Sequence, residues 1–269
     1  MKGSEDAESK DDDEVLTIEE ASRKLRSPML SFSNTDMAFK DNLLVAGSYH
    51  GFNIYELQDD GMPNLITSVV CPGGQGDVSV VGDILIMSVE ETRGRVDCGL
   101  DGVGPDASPE RFRGIRIFDI SNVKKPKQVG AVQTCRGSHT HSVVAGPTAD
   151  NKIIVYNSGT GRVREEDELD GCIGNVAGDT RTAYFSIDVI EIPINDPASS
   201  RIVSSPRVFA DNDKGIIAGL WKGGDHGDGT QDSRPTNQCH DITVFPSAGI
   251  AAGACSGNGI LFDISDPYK

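Results

Sequence analysis

Three histidines stand where imidazole chemistry is conceivable. His139 and His141 lie in Gly-Ser-His-Thr-His (137–141), and His240 directly precedes Asp-Ile-Thr-Val (241–244). Neutral imidazole is a common metal ligand. On a strand, residues two apart project to the same side, so His139, His141 and His240 describe a three-nitrogen site for Zn or Cu. The competing expectation is that each ring hydrogen-bonds a neighbouring structural unit. Glu90 and Glu91 (Ser-Val-Glu-Glu-Thr-Arg) form a carboxylate pair at the entry to a loop. Such a pair could do acid–base work or bind a cation; matched to Arg93 or Arg95, it would be an ordinary solvated loop. Two Gly/Asp-rich stretches, 211–213 and 224–229, have the look of calcium loops, but neither has the EF-hand spacing. Gly253-Ala-Cys255-Ser-Gly257 has the outline of a nucleophile elbow, yet that motif needs a helix after the turn and a strand follows.

The elements that must position these residues are short strands. The chain has 269 residues, with 31 Gly and 13 Pro and 37 % apolar content. This suits many strands joined by tight turns. The net charge of −16 argues against binding to nucleic acid, whose phosphates need Lys and Arg, and against anionic membranes. No apolar run approaches the roughly 20 residues of a transmembrane segment. Residues 1–33 read as a hydrophilic acidic tail plus one short helix at 17–26, where Thr17 and Glu20 fit a capping box. The tail lacks the apolar core of a signal peptide, so none is expected within this chain.

From residue 34 to 269 a pattern returns four times, beginning at Asp36, Asp77, Ser142 and Asp241. Each copy continues with a second apolar run and then a third: 51–57 (GFNIYEL), 114–121 (GIRIFDIS), 185–192 (FSIDVIEI) and 258–265 (NGILFDIS). The second copy predicts strands at 77–81, 84–89, 115–120 and 128–133, with a tight turn at Val81-Gly82-Asp83. Four antiparallel strands per copy describe a propeller blade. Insertions at 90–113, 157–183 and 205–238 account for the unequal spacing. Recurrence marks Asp36, Asp77 and Asp241, and in the third strand Asp119 and Asp263 with Glu56 and Glu191, as scaffold residues that accept turn amides.

Gly-Ile-Arg-Ile-Phe-Asp-Ile-Ser (114–121) with Pro126 and Val129-Gly130, and His240-Asp-Ile-Thr-Val leading to Asn258-Gly-Ile-Leu-Phe-Asp-Ile-Ser-Asp-Pro267, resemble the LVIVD repeat. Val-Val-Cys-Pro-Gly-Gly-Gln-Gly-Asp-Val-Ser-Val and Gln-Thr-Cys-Arg-Gly-Ser-His-Thr-His-Ser resemble one bacterial group of such proteins. The resemblance implies an all-β, usually exported propeller and carries over no catalytic residues. About three and a half blades fall within this chain. Either it is a fragment of a longer protein or a segment such as Met29–Phe32 completes the fourth blade.

The repeat phase also orders the cysteines. Cys71, Cys135 and Cys239 each precede a first strand; Cys98, Cys172 and Cys255 each follow a second strand of the same copy. Of the 15 connectivities open to six cysteines, this phase selects Cys71–Cys98, Cys135–Cys172 and Cys239–Cys255. Six free thiols in a cytoplasmic protein are the alternative. Disulfides would place the chain in an extracellular, periplasmic or cell-surface setting.

The function expected is a binding scaffold for a protein or small-molecule ligand on the insertion-bearing face, without a cofactor. The alternative is a metal-dependent (Cu or Zn) enzyme with its histidines at the channel mouth; a Ca ion on the acidic loops is a further expectation. Non-reducing peptide mapping should recover the three intra-repeat cysteine pairs; free thiols at these positions would return the chain to a reducing compartment.

Overall fold

The computed structural model describes residues 33–174, 179, 181–184, 186–208, 227–229, 238–256 and 258–269. The acidic tail, the 17–26 helix, Met29–Phe32, the 211–213 loop and part of the 224–229 loop lie outside them. The described residues are all-β. The first repeat holds β1 (Asn34–Lys40), β2 (Leu43–Ser48), β3 (Gly51–Leu57) and β4 (Pro63–Val70). The second holds β5 (Val78–Val81), β6 (Ile84–Val89), β7 (Gly114–Asp119) and β8 (Lys127–Gln133). The third holds β9 (His141–Ala145), β10 (Lys152–Asn157), β11 (Asp188–Pro193) and β12 (Arg201–Ser204). The fourth holds β13 (Asp241–Phe245), β14 (Ile250–Cys255) and β15 (Asn258–Asp263).

Each repeat is one antiparallel meander, with its strands hydrogen-bonded in chain order. The β5–β6 hairpin pairs Val81 with Ile84 across Gly82 and Asp83. Gly82 has φ +57°, a left-handed conformation that glycine adopts without a Cβ penalty and that a two-residue hairpin loop requires. The sheets meet through their first strands, β1 against β5, β5 against β9 and β9 against β13, which is a propeller-like arrangement.

Alternation along the strands explains the stacking. Leu85, Met87 and Val89 of β6 face the first sheet and pack with Val45, Phe52, Ile54 and Phe118. Ile84 and Ile86 face the third sheet and pack with Ile115, Ile117, Ile153, Val155 and Ile190. The whole of β6 is buried, as expected of a strand covered on both faces, whose apolar run is continuous rather than alternating. A third core joins Ile154, Tyr156 and Val189 to Ala251 and Ile264. The Phe52 and Phe118 rings meet edge-on at 5.0 Å, a favoured aromatic geometry.

The three cysteine pairs Cys71–Cys98, Cys135–Cys172 and Cys239–Cys255 are disulfides spanning 27, 37 and 16 residues. Loop closure of this size is worth about 3–4 kcal/mol per crosslink in the chain-entropy account. Two of the bonds tie insertions, residues 90–113 and the stretch after β10, back to the links that enter their own repeats.

The same two insertions are held from inside by arginines. Arg113 donates from Nε to Glu90 O (3.2 Å), from Nη1 to Arg162 O (3.1 Å) and from Nη2 to Arg136 O (3.2 Å). Arg116, fully buried on β7, donates to Gln128 Oε1 (3.1 Å) and to the carbonyls of Val96 and Arg95, with its guanidinium 4.1 Å above the Phe112 ring. Arg136 donates to Gly161 O (3.0 Å) and stacks 4.4 Å over Tyr184. Burial lowers all three guanidinium pKa values to about 10, leaving them charged at neutral pH. Glu168 receives Arg164 Nε at 2.5 Å, Ser108 N at 3.1 Å and Arg111 Nη1. Burial works to raise its carboxyl pKa, but Arg164, the Ser108 amide and Arg111 outweigh it and hold the pKa below the usual range.

Glu168 is 2 % exposed, Arg164 1 % and Arg111 8 %. Glu168→Ala therefore strands two buried guanidinium groups and should cost about 3–5 kcal/mol of unfolding free energy, read by urea denaturation. Because the folded pKa is depressed, this stabilisation is in place above the unfolded value of about 4.3. It is lost as pH falls through the lowered folded value, so wild type and variant should converge in strong acid.

Candidate functional site

The expected histidine triad divides into two groups. His139 lies in a bend before β9 rather than on a strand, so strand alternation does not govern it and its ring parts from that of His141. The link is held by Ser138 N, which donates to Val89 O (3.0 Å), and by Asn157 Nδ2, which donates to Gly137 O (3.1 Å). Gly137 has φ +71°, and a Cβ there would lie 3.2 Å from Glu90 Cα. That close approach brings the 137–141 link against the start of the 90–113 insertion.

His141, at the head of β9, turns inward. Its side chain is 0 % exposed, with Nδ1 2.9 Å from Ser88 Oγ and 3.0 Å from Asp77 Oδ2. Ser88 Oγ is in turn 2.8 Å from Ser138 Oγ. Serine and aspartate both address the same ring nitrogen, so this is not the nucleophile–base–orienter line of a hydrolase, in which the two partners occupy opposite nitrogens. His141 Nε2 is buried with no hydrogen-bond partner among the described residues.

His139 and His240 do meet. Their Nε2 atoms are 2.7 Å apart and their rings are inclined at 62°. His139 Nδ1 is 2.6 Å from Glu90 Oε2, and His240 Nδ1 is 2.6 Å from Asp241 Oδ2. The line Glu90–His139–His240–Asp241 thus crosses three successive repeats. His240 is fixed by its N–H to Ala254 O (2.8 Å), by Thr140 Oγ1 donating to its carbonyl (2.7 Å), and by the adjacent Cys239–Cys255 bridge. The Glu90 hydrogen bond raises the His139 pKa against the effect of burial, and the charges of Glu90, Asp241 and Asp77 add to it.

The carboxylate pair expected at Glu90 and Glu91 does not act as one. Glu90 is committed to His139, while Glu91 turns the loop, its carbonyl accepting from Gly94 N (3.1 Å). Nor does Arg95 serve these carboxylates: it binds Asp97 and Glu110 at 2.8 and 2.9 Å. Cys255 is crosslinked and holds no nucleophile. Among the described residues, no three His, Cys, Asp or Glu side chains converge as a ligand set.

The recurrent acids serve two different purposes. Asp119 and Asp263 cap their own turns, accepting from Ser121 N (2.8 Å) and Ser265 N (2.9 Å) as expected. Asp36 and Asp77 do not. Asp36 Oδ2 accepts from Val78 N (3.1 Å) at the head of β5, and Asp77 Oδ2 accepts from His141 N (2.9 Å) at the head of β9. Each links its repeat to the next. Ser142, at the equivalent position, donates to Ile242 O in the fourth repeat.

No protein-family model and no curated protein matches this sequence. Among solved structures, the computationally designed Ika4 protein is similar at 12 % identity and TM-score 0.37, over 87 % of this chain and 92 % of that one. Hydrazine synthase of Kuenenia stuttgartiensis is similar at 10 % identity and TM-score 0.41, over 83 % of this chain and 44 % of that one. Sqt1 of Saccharomyces cerevisiae follows at 10 % identity and TM-score 0.35, over 85 % of this chain and 59 % of that one. Among the described residues, no helix is long and apolar enough to cross a membrane.

Asp77→Ala removes an inter-repeat bond and leaves the His141 amide without its acceptor, which should cost about 1–3 kcal/mol. Asp119→Ala, at an exposed turn, should stay within about 0.5 kcal/mol of wild type. Thermal melts of the two variants, side by side, check the division.

Proposed function

We propose that this chain is the repeat region of an exported LVIVD-type propeller that works as a binding scaffold, with its insertion-bearing face as the recognition surface. The observation that carries this reading is the cleft between the two described insertions. It encloses about 300 Å³ and is lined by Thr92, Pro105, Ala107 and Arg111 from one insertion and by Arg162 and Val163 from the other. That volume is at the small end of ligand sites, which typically enclose about 300–1,000 Å³. It would hold a compact molecule or one anchoring side chain of a protein partner.

The cleft walls are crosslinked, and hydrogen-bonded to one another, which favours a recognition surface. Each insertion is crosslinked to its own repeat, and the Arg113, Arg164 and Glu168 hydrogen bonds lock one insertion against the other. Loops held in one conformation before binding do not spend ordering entropy on contact. Three disulfides fit an oxidising, extracellular-type environment, which supports export. The LVIVD reading rests on the Asp-Ile-Ser repeats and the meander sheets.

Ala107 is exposed at the rim, so Ala107→Trp should fill the cleft without disturbing the core. Small molecules and short peptides that raise the Tm of wild type should lose that effect on the variant. Equal protection of both proteins, or no protecting ligand in a broad screen, would remove the cleft as the recognition site.

A further inference from the structure

The His139–His240 contact has a chemical requirement of its own, independent of the cleft. The Nδ1 atoms of His139 and His240 each stand 2.6 Å from a carboxylate oxygen, of Glu90 and Asp241, and a carboxylate at that place holds the ring proton on Nδ1. Each ring therefore turns its Nε2 toward the other, and the two Nε2 atoms face one another at 2.7 Å. Two ring nitrogens this close need an electrophile between them, a shared proton or a metal ion.

We propose that the electrophile is a divalent transition-metal ion such as Zn, Cu or Ni, bound by Nε2 of His139 and Nε2 of His240. Four features converge on it. Imidazole nitrogen suits these ions. Each ring is backed by a carboxylate on its other nitrogen, the arrangement that fixes the tautomer and raises the basicity of ligating histidines. With metal–nitrogen bonds of about 2.0–2.1 Å, ligands at the right angle of square-planar Cu or Ni would stand roughly 2.9 Å apart and those at the tetrahedral angle of Zn roughly 3.3 Å, so the rings need open by about 0.2–0.6 Å. Both rings are also placed by backbone contacts rather than by each other, since His240 is held through Ala254 and Thr140 and His139 through the Gly137–Ser138 link.

The site has an open side. The His240 side chain is 62 % exposed, against 12 % for His139, so the remaining coordination positions face solvent and would be filled by water or an exogenous ligand. His141 is not a ligand: its Nδ1 is engaged with Ser88 and Asp77 on the inner side of β9. The site is thus a two-imidazole centre with its carboxylates in support, not the three-nitrogen centre that the spacing of the histidines suggests.

The test is titration of the EDTA-stripped full chain with ZnCl2, CuCl2 or NiCl2 alone, read by calorimetry and thermal shift. At least one of the three ions should bind one per chain and raise the Tm. His240→Ala, at an exposed ring, should weaken that binding at least about tenfold while the metal-free Tm stays near wild type. Glu90→Gln keeps both ligands but loses the supporting carboxylate, and should weaken binding by about 10–100-fold. With CuCl2, the electron paramagnetic resonance spectrum should show two coupled imidazole nitrogens that disappear in His240→Ala. Two results would overturn the proposal. One is no one-to-one binding of any of the three ions up to millimolar concentration, which leaves the rings sharing a proton. The other is binding unchanged in His240→Ala, which assigns the ion to other residues such as the acidic tail.

Discussion

The bond from an aspartate of one repeat to the amide that opens the first strand of the next sets the frame for everything else. Apolar faces hold the sheets together but are not directional; on their own, stacked sheets could slide. Asp36 to Val78 N and Asp77 to His141 N supply direction and fix the height of each sheet against its neighbour. They also satisfy a strand-initial donor that would otherwise be buried without a partner. At the third junction the polarity reverses: Ser142 and Thr140 donate to the carbonyls of Ile242 and His240 instead of accepting from amides. The height set in this way lets Glu90, His139 and His240, from three repeats, arrive at one place.

With the sheets fixed, the insertions need their own support, because a long loop carries carbonyl groups that no ladder satisfies. Buried arginine answers that need. One guanidinium offers five donors in a planar fork and is more weakly hydrated than an ammonium group. Arg113 alone reaches carbonyls in three segments, at Glu90, Arg136 and Arg162. A lysine in its place would present a single charged atom and could not span them. The paired arginines at Glu168 do the same with a carboxylate at the centre, joining the 90–113 insertion to the one after β10.

These features differ in how far the sequence discloses them. Strand positions are legible because β6 and β7 are mostly apolar runs, broken only by Ser88 and Arg116 before Asp119, and the cysteine pairs are legible because the repeat phase places two in each of the last three copies. The interior arginines are not: Arg111, Arg113 and Arg164 read as surface charge until the loops close over them. Arg116 left a trace, a single charge within Gly-Ile-Arg-Ile-Phe on a strand buried on both faces. The histidines are legible as a group, but their contacts are not. The strand rule pairs His139 with His141, but His139 precedes the strand, and its partners come from Glu90 and His240, 49 and 101 residues away. Spacing along the chain carries no record of contacts between repeats.

The crosslinks follow one another along the chain, 71–98, then 135–172, then 239–255, and none encloses another. Each cysteine is therefore bonded to the one next to it in chain order. As the chain is synthesised, each bridge has both its sulfurs available before the next pair emerges, so native pairing requires no waiting for distant chain and no later reshuffling. The covalent scheme is modular: a cut between 98 and 135, or between 172 and 239, separates the chain into pieces that each keep their own staple. Modularity of this kind lets a repeat architecture gain or lose units without rewriting the oxidation chemistry of those that remain.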